Sequence, residues 1–244
     1  MKPQEAEYRH FASLLSGQIV RLPYSGDYES PEYKPGNSGV VHGYDIGGTL
    51  ANAAERDDAV RKILGFEPDA DIKNLLFNDQ EATRNISRAQ EEGILNGSIR
   101  VYALDGVVEQ LTKEQEMGKD RVLITVGTYQ MARSFIHGAG LENYVSALVT
   151  SEEANTGNQK AVETFLKVYE RLKEKGKTME TYCDDSEKEA KAALEASKLI
   201  EEKYGNGFTV FLIKKDAKDE ELGLSDNGYF VIRSIKDKEK FKVL

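Results

Sequence analysis

Four groups of polar residues, spread along the chain, have the types needed for phosphoryl chemistry: Asp45 ahead of Gly47-Gly48, Thr125 ahead of Val126-Gly127, Lys160, and the pair Asp184-Asp185. A carboxylate such as Asp45 can attack phosphorus and form an aspartyl-phosphate. Thr125 and the amides of Val126 and Gly127 suit phosphate oxygens at a strand-to-helix corner. Lys160 can neutralise charge on both nucleophile and phosphoryl group, while Asp45 with Asp184 and Asp185 forms an oxygen-only ligand set of the kind that binds Mg²⁺. Each group also has a structural explanation. Asp45 could serve a turn, Thr125 an ordinary strand end, Lys160 a solvated helix face, and Asp184-Asp185-Ser186 a helix cap.

The elements that must position these residues can be read from periodicity. Val40–Leu50 is a short extended run that breaks at Asp45 and Gly47-Gly48, and Arg121–Thr128 is a buried strand ending in Thr and Gly. Further strands are predicted over Tyr144–Val149, Thr178–Cys183, Phe208–Ile213 and Tyr229–Ile232. Helices are predicted over Gln130–His137, Val162–Lys175 and Glu187–Tyr204. This alternation predicts an α/β fold, a Rossmann-like three-layer α/β/α core around a mostly parallel sheet, with polar strand ends on one rim.

Between the first strand and the next, residues 51–64, 70–77 and 80–93 read as helices, and 103–118 as the helix returning to the sheet. The stretch is long for a crossover and is predicted to be a small helical cap over 52–100, with the core at 39–51 and 101–244. Residues 1–38 form an N-terminal extension. Tyr8, Phe11, Leu14 and Leu15 share a face of a helix predicted over 4–16, followed by a loop rich in Pro, Gly and Ser at 21–38. That loop is either a connection or an element facing substrate or a partner.

Composition excludes several classes. No apolar run approaches the eighteen or so residues that span a bilayer, and the N-terminus lacks a secretory signal, so a cytoplasmic protein is expected. The single Cys183 permits no intrachain disulfide, and its place in a buried strand argues against a nucleophilic role. A net charge of −9 disfavours nucleic acid and anionic membranes as partners, yet allows a divalent cation and a small phosphorylated molecule. Of the three histidines, His42 reads as structural, and His10 and His137 have no Cys or acidic partners at metal spacing. Oligomeric state is left open.

In its order of motifs the chain resembles the haloacid dehalogenase-like (HAD) superfamily. The residues that carry the likeness are Asp45-Ile46-Gly47-Gly48-Thr49-Leu50, Leu123-Ile124-Thr125, Lys160, and Tyr182-Cys183-Asp184-Asp185-Ser186, with Glu189 as a further acid. Receiver domains use similar residues in another order, with the acidic pair first and the Lys last. The resemblance spans roughly residues 40 to 235 and implies a cap inserted after the first strand. It also implies Mg²⁺-dependent hydrolysis through Asp45. Gly47 stands where family phosphatases carry a second aspartate, the acid and base of the reaction; its carbonyl could still ligate Mg²⁺. Loss of such a group slows chemistry by about 10²–10⁴-fold. Three readings of Gly47 follow: an attenuated phosphatase, an inactive phosphate- or partner-binding relative, or chemistry like that of the phosphonate-cleaving members. Those members have a small residue here and a Schiff-base lysine in the cap, for which Lys62 and Lys73 are the candidates. An engineered or naturally selected Asp-to-Gly change would look the same.

Overall fold

The computed structural model describes residues 8–16, 19–23, 36–72, 74–75, 79–157 and 159–241; for 8–12, 19–23, 54 and 80 the description covers the backbone alone. Nine strands form one sheet: β1 (Tyr8–Ser13), β2 (Ile19–Pro23), β3 (Val40–Tyr44), β6 (Asp120–Thr125), β7 (Ala147–Thr150), β8 (Thr178–Asp184), β9 (Thr209–Ile213), β10 (Gly223–Leu224) and β11 (Phe230–Ile232). Their order is β10-β11-β9-β8-β3-β6-β7-β1-β2. Only the two edge strands, β2 and β10, run antiparallel to their neighbours.

Alternation along the central strands explains the layers. Val41, Val122 and Ile124 point to one face, where α5 (Val162–Glu174) and α6 (Glu187–Tyr204) cover them with Phe165, Val168, Ala193 and Ala196. Tyr44, Leu123 and Cys183 point to the other, under Val107 and Leu111 of α3 (Val107–Glu116) and Ala132 and Ile136 of α4 (Tyr129–Gly138). The chain is thus a three-layer α/β/α structure with a Rossmann-like core. Strand order reverses at β3: β6 and β7 lie on one side of it, β8 and β9 on the other. Such a switch point leaves a crevice beyond the carboxyl ends of the strands.

The N-terminal region differs from the sequence expectation. Residues 8–13 form β1 instead of part of a helix, pairing in parallel with β7 through Ala12↔Ala147 and Ser13↔Leu148, and antiparallel with β2. Without β1, β7 would present a row of unpaired backbone groups at the sheet edge, and pairing with it overrides a weak three- and four-residue periodicity. Leu14, just past the strand, is buried in the core. Strand β2 takes the start of the predicted 21–38 loop; residues 24–35 of that loop lie outside the described residues.

The insertion after β3 also departs in detail. Ala51–Ala54, expected as the start of a helix, is strand β4, and Arg100–Ala103 is β5. They pair as an antiparallel ribbon from Ala51↔Ala103 to Ala54↔Arg100. Alanine's helix propensity is a weak prior, and here the two ends of the insertion satisfy each other's backbone. Helices α1 (Arg56–Leu64) and α2 (Gln80–Leu95) rest on a separate small core of Val60, Ile72, Ile86, Ala89 and Ile99. Asp79 caps α2, its carboxylate accepting from the Ala82 amide at 2.9 Å. Helix α2 lies against α4 of the main body: the Thr128 hydroxyl donates to Ser87 Oγ at 2.9 Å, and Arg133 Nε donates to Glu91 at 2.8 Å. The returning helix begins at Val107 rather than 103, and the strand expected over 144–149 begins at Ala147, after a short 3-10 turn at Glu142–Tyr144. No helix among the described residues is long and apolar enough to cross a membrane.

Candidate active site at the carboxyl rim of the sheet

Parallel register delivers the site. Tyr44 pairs with Leu123 of β6 and with Cys183 of β8, so the next residue, Asp45, emerges beside Asp184. The Asp45 amide donates to the Cys183 carbonyl at 2.9 Å, which fixes the carboxylate at the strand end. Ile46 to Ala51 then fold into a closed loop, with the Leu50 and Ala51 amides both on the Ile46 carbonyl and the Gly48 amide on the Ala51 carbonyl, each at 2.9 Å.

The two glycines of this loop have different reasons. Gly48 sits at φ +78°, and a Cβ there would fall 1.9 Å from Asp185 Oδ2, so only glycine lets the loop close against that carboxylate. A Cβ on Gly47 would meet no atom within 4 Å. Gly47 lines the cleft, and its missing side chain leaves open space.

Oxygens of Asp45, Asp184 and Asp185 lie within 4.8 Å of one another, although their residues come from opposite halves of the chain. Lys160, almost fully buried just before α5, reaches into them: its ammonium is 2.6 Å from Asp45 Oδ1, 2.7 Å from Asp184 Oδ2 and 2.9 Å from Glu189 Oε2. Asp184 accepts further hydrogen bonds from the Tyr182 hydroxyl and from the Ser186 amide. Its second oxygen therefore also serves the local helix-start role considered from the sequence.

One ammonium cannot neutralise these carboxylates. Burial, with Asp184 and Glu189 nearby, outweighs Lys160 and pushes the Asp45 carboxyl up to about 7. Burial and Asp184 likewise raise Asp185. On Lys160 the carboxylates of Asp184 and Asp45 outweigh burial and hold the ammonium well above its usual range. A dense, oxygen-only, under-compensated anionic cluster at the mouth of a cleft fits a hard divalent cation such as Mg²⁺.

The cleft, about 1170 Å³, lies between the main body and the insertion. Thr125 and Val126 line it, as do Gly47, Asp185 and Glu189 from the rim and Asn52, Arg56 and Gln90 from the insertion. Gly127, expected to offer its amide to phosphate, is not at the cleft wall. Its N–H donates to the Ser151 hydroxyl at 3.2 Å, because a φ of +104° turns the backbone toward β7's end.

Other candidates fall elsewhere. Lys62 is exposed on α1 away from the cleft, and Lys73 lies outside the described residues. His42 points to the α3 face, with Nδ1 2.7 Å from Glu114 and Nε2 2.8 Å from Glu180. His137 pairs with Glu142 at 2.7 Å, and His10 lies in β1. Burial pushes the Cys183 thiol up to about 12, which leaves it inert. The sequence did not single out Arg56, Gln90 or Lys238. Nothing in local periodicity marks them, since their burial comes from tertiary contacts.

The fold is that of the HAD hydrolases. YfnB of Bacillus subtilis, described as a HAD-hydrolase and bound to magnesium, superposes with a TM-score of 0.55 at 15% identity over 85% of this chain and 98% of that one. A HAD phosphatase from Thermococcus onnurineus gives 0.54 at 16%, covering 82% and 96%. The L-2-haloacid dehalogenase of Xanthobacter autotrophicus, with chloropropionic acid covalently bound, gives 0.52 at 11%, covering 82% and 96%. No family model and no curated protein matches the sequence.

Proposed function

We propose that the chain is a Mg²⁺-dependent phosphohydrolase acting on a small phosphorylated molecule, attenuated by the absence of a side chain at Gly47. The observation that carries this reading is the convergence of Asp45, Asp184 and Asp185 within 4.8 Å, with Lys160 at 2.6 Å from Asp45, on the rim of a cleft. Asp45, Asp185, Asp184 and the Gly47 carbonyl would hold the cation, which would neutralise charge on the phosphoryl group. Thr125 and the Val126 amide would orient the phosphate oxygens. An Asp45 oxygen attacks phosphorus, the bond from phosphorus to the leaving oxygen breaks, and that oxygen departs with a proton from solvent. Water then attacks phosphorus of the aspartyl-phosphate, releasing inorganic phosphate and restoring the carboxylate. The insertion, with helices α1 and α2, serves as the cap over this reaction.

Hydrolysis of p-nitrophenyl phosphate with Mg²⁺ tests the reading, because nitrophenolate leaves without an acid. Activity that disappears in Asp45→Ala supports it. Complete inactivity of the unaltered chain favours a phosphate-binding protein on the same fold. The phosphonatase-like alternative finds little support, since Lys62 is outside the cleft; borohydride trapping of a lysine adduct would revive it.

A further inference from the structure

Strand β1 does more than cover the edge of β7. Because the two run parallel, with Ser13 opposite Leu148, the chain that follows Ser13 emerges on the same rim as the site, beside residues 151–157 that follow β7. Glu153 of that turn receives it. The buried Ser13 hydroxyl and the Ser16 amide both donate to Glu153 Oε1, the latter at 2.8 Å, and the Ser16 hydroxyl donates to Ser13 Oγ at 2.8 Å. The Leu14 amide on the Leu148 carbonyl and Arg171 Nε of α5 on the Leu14 carbonyl, each at 3.2 Å, secure the same segment. Tyr129, the first residue of α4, stands against the same carboxylate, and burial together with Glu153 holds its phenol well above the usual range. Hydrogen bonds to an ionised acceptor are the strong ones, so this carboxylate fastens three segments to one another.

The turn held in this way touches both halves of the phosphate site. At its start the Ser151 amide donates to the Thr125 carbonyl at 3.0 Å, and the Ser151 hydroxyl accepts from the Gly127 amide at 3.2 Å, so the corner Thr125 to Gly127 is set against it. At its end the Thr156 amide donates to the Ser151 carbonyl at 3.1 Å, and the Thr156 hydroxyl donates to the carbonyl of Gln159 at 3.0 Å, one residue before Lys160. Between them, Lys167 of α5 donates to the Ala154 carbonyl. Glu153 itself lies outside the cleft wall and outside the group of carboxylates that would hold a cation.

We propose that Glu153 is a positioning residue for the phosphate: by clamping β1 to the turn between β7 and Lys160, it makes the N-terminal segment part of the support of the phosphate-binding corner. This rests on the phosphohydrolase reading, in which Thr125 and the Val126 amide contact phosphate oxygens. A loosened corner weakens phosphate in the ground state and the transition state alike, so KM should move and kcat should not. For p-nitrophenyl phosphate with Mg²⁺, Glu153→Ala should raise KM about tenfold with kcat within about threefold, and calorimetric affinity for inorganic phosphate should fall by a similar factor. Affinity for Mg²⁺ alone should stay within about twofold. Glu153→Gln, which keeps an acceptor oxygen for Ser13 and Ser16, should restore KM and phosphate affinity to within about threefold, and Glu152→Ala, at an exposed neighbour, should match the unaltered chain. Ser13→Ala should weaken phosphate by about threefold and add nothing to Glu153→Ala; where Glu153→Ala does not fold, Ser13→Ala alone carries the test. Lost stability with KM and phosphate affinity unchanged, a parallel loss of Mg²⁺ affinity, or additive effects of the two substitutions overturns the proposal. Asp45-dependent hydrolysis with a KM indifferent to Glu153 and Ser13 overturns it while leaving the phosphohydrolase reading intact. Phosphate affinity that depends on both residues, in a chain that does not hydrolyse, does the reverse, and a chain that neither binds phosphate nor hydrolyses overturns both.

Discussion

Restoring a carboxylate at position 47 is the sharpest perturbation this site offers. A Cβ on Gly47 meets nothing within 4 Å, so Gly47→Asp adds its side chain to the cleft without moving the loop. A positioned acid and base is worth about 10²–10⁴-fold, or roughly 3–5 kcal/mol of barrier. Electrostatics set a condition on that gain. The new carboxylate joins a cluster in which Asp45 already titrates at about 7, and another anion raises it further. Without a cation the variant should then hold less ionised Asp45 at neutral pH and turn over no faster than the unaltered chain. With saturating Mg²⁺ it should gain. Leaving groups separate the two steps. In stopped-flow assays, p-nitrophenyl phosphate should give the unaltered chain a burst of nitrophenolate followed by slow turnover, because Gly47 provides no base for the hydrolytic water. Gly47→Asp should raise the slow phase by about 10²-fold, and raise hydrolysis of an alkyl phosphate by at least as much. Gly47→Asn, matched in size but unable to exchange a proton, is the control. An Asn variant as active as the Asp variant, or an Asp variant slower than the unaltered chain at saturating Mg²⁺, would refute the reasoning.

Further perturbations probe the same framework. Gly48→Ala should abolish Mg²⁺-dependent activity, since its Cβ would overlap Asp185 Oδ2 at 1.9 Å on a backbone at φ +78°; activity within about threefold of the unaltered chain would contradict this. Lys160→Met leaves Asp45, Asp184 and Glu189 without their counter-ion and should destabilise the protein by roughly 3–5 kcal/mol in denaturant titrations with chelator. Added Mg²⁺ should recover part of that loss, and a deficit indifferent to Mg²⁺ would speak against a cation site. Lys238→Met breaks a buried pair with Glu114 at 2.7 Å and should cost a similar amount at pH 7. Acid should reveal its partner: Lys238 and His42 outweigh burial and hold Glu114 well below its usual range. A depressed carboxylate stabilises above its unfolded value near 4.5 and loses that contribution progressively as pH falls below it, so the gap between Lys238→Met and the unaltered chain should narrow from about pH 4.5 downward. A gap constant from pH 7 to pH 2 would show that charge pairing is not its origin.

How far the sequence could be read depended on whether a residue's role is local or tertiary. Strands β3, β6, β8 and β9 announce themselves because both faces are buried, which leaves near-continuous apolar runs; helix α6 agrees with its predicted Glu187–Tyr204 bounds because its apolar stripe lies within it and Gly205, in the left-handed region, ends it. β1 does not, because its strand state is imposed by the edge of β7, and Tyr8 to Ser13 carry no alternation of their own. The ribbon of β4 and β5 is similar: Ala51–Ala54 would favour helix in isolation and becomes strand only when Arg100–Ala103 returns beside it.

At the site, the order Asp45, Thr125, Lys160, Asp184-Asp185 was legible because a parallel sheet with a reversal at β3 gathers strand ends from distant parts of the chain. Lys160 shows the limit of that logic. Composition alone assigns a lysine to the surface, yet this one is 2% exposed, and only the position of its three carboxylates explains why burial is tolerated. Lys238 is buried to a similar degree with a single carboxylate, Glu114, beside His42, Tyr44 and Thr181. Strand β3 is therefore flanked by two buried ammonium groups, Lys160 at the Asp45 carboxylate just past its end and Lys238 at the side chains of His42 and Tyr44. The difference between the two lies in what reaches their partners: Asp45 and Glu189 beside Lys160 line a cleft with oxygens to spare for a cation, whereas Lys238, carried on the turn Ile235–Phe241, is buried away from that cleft.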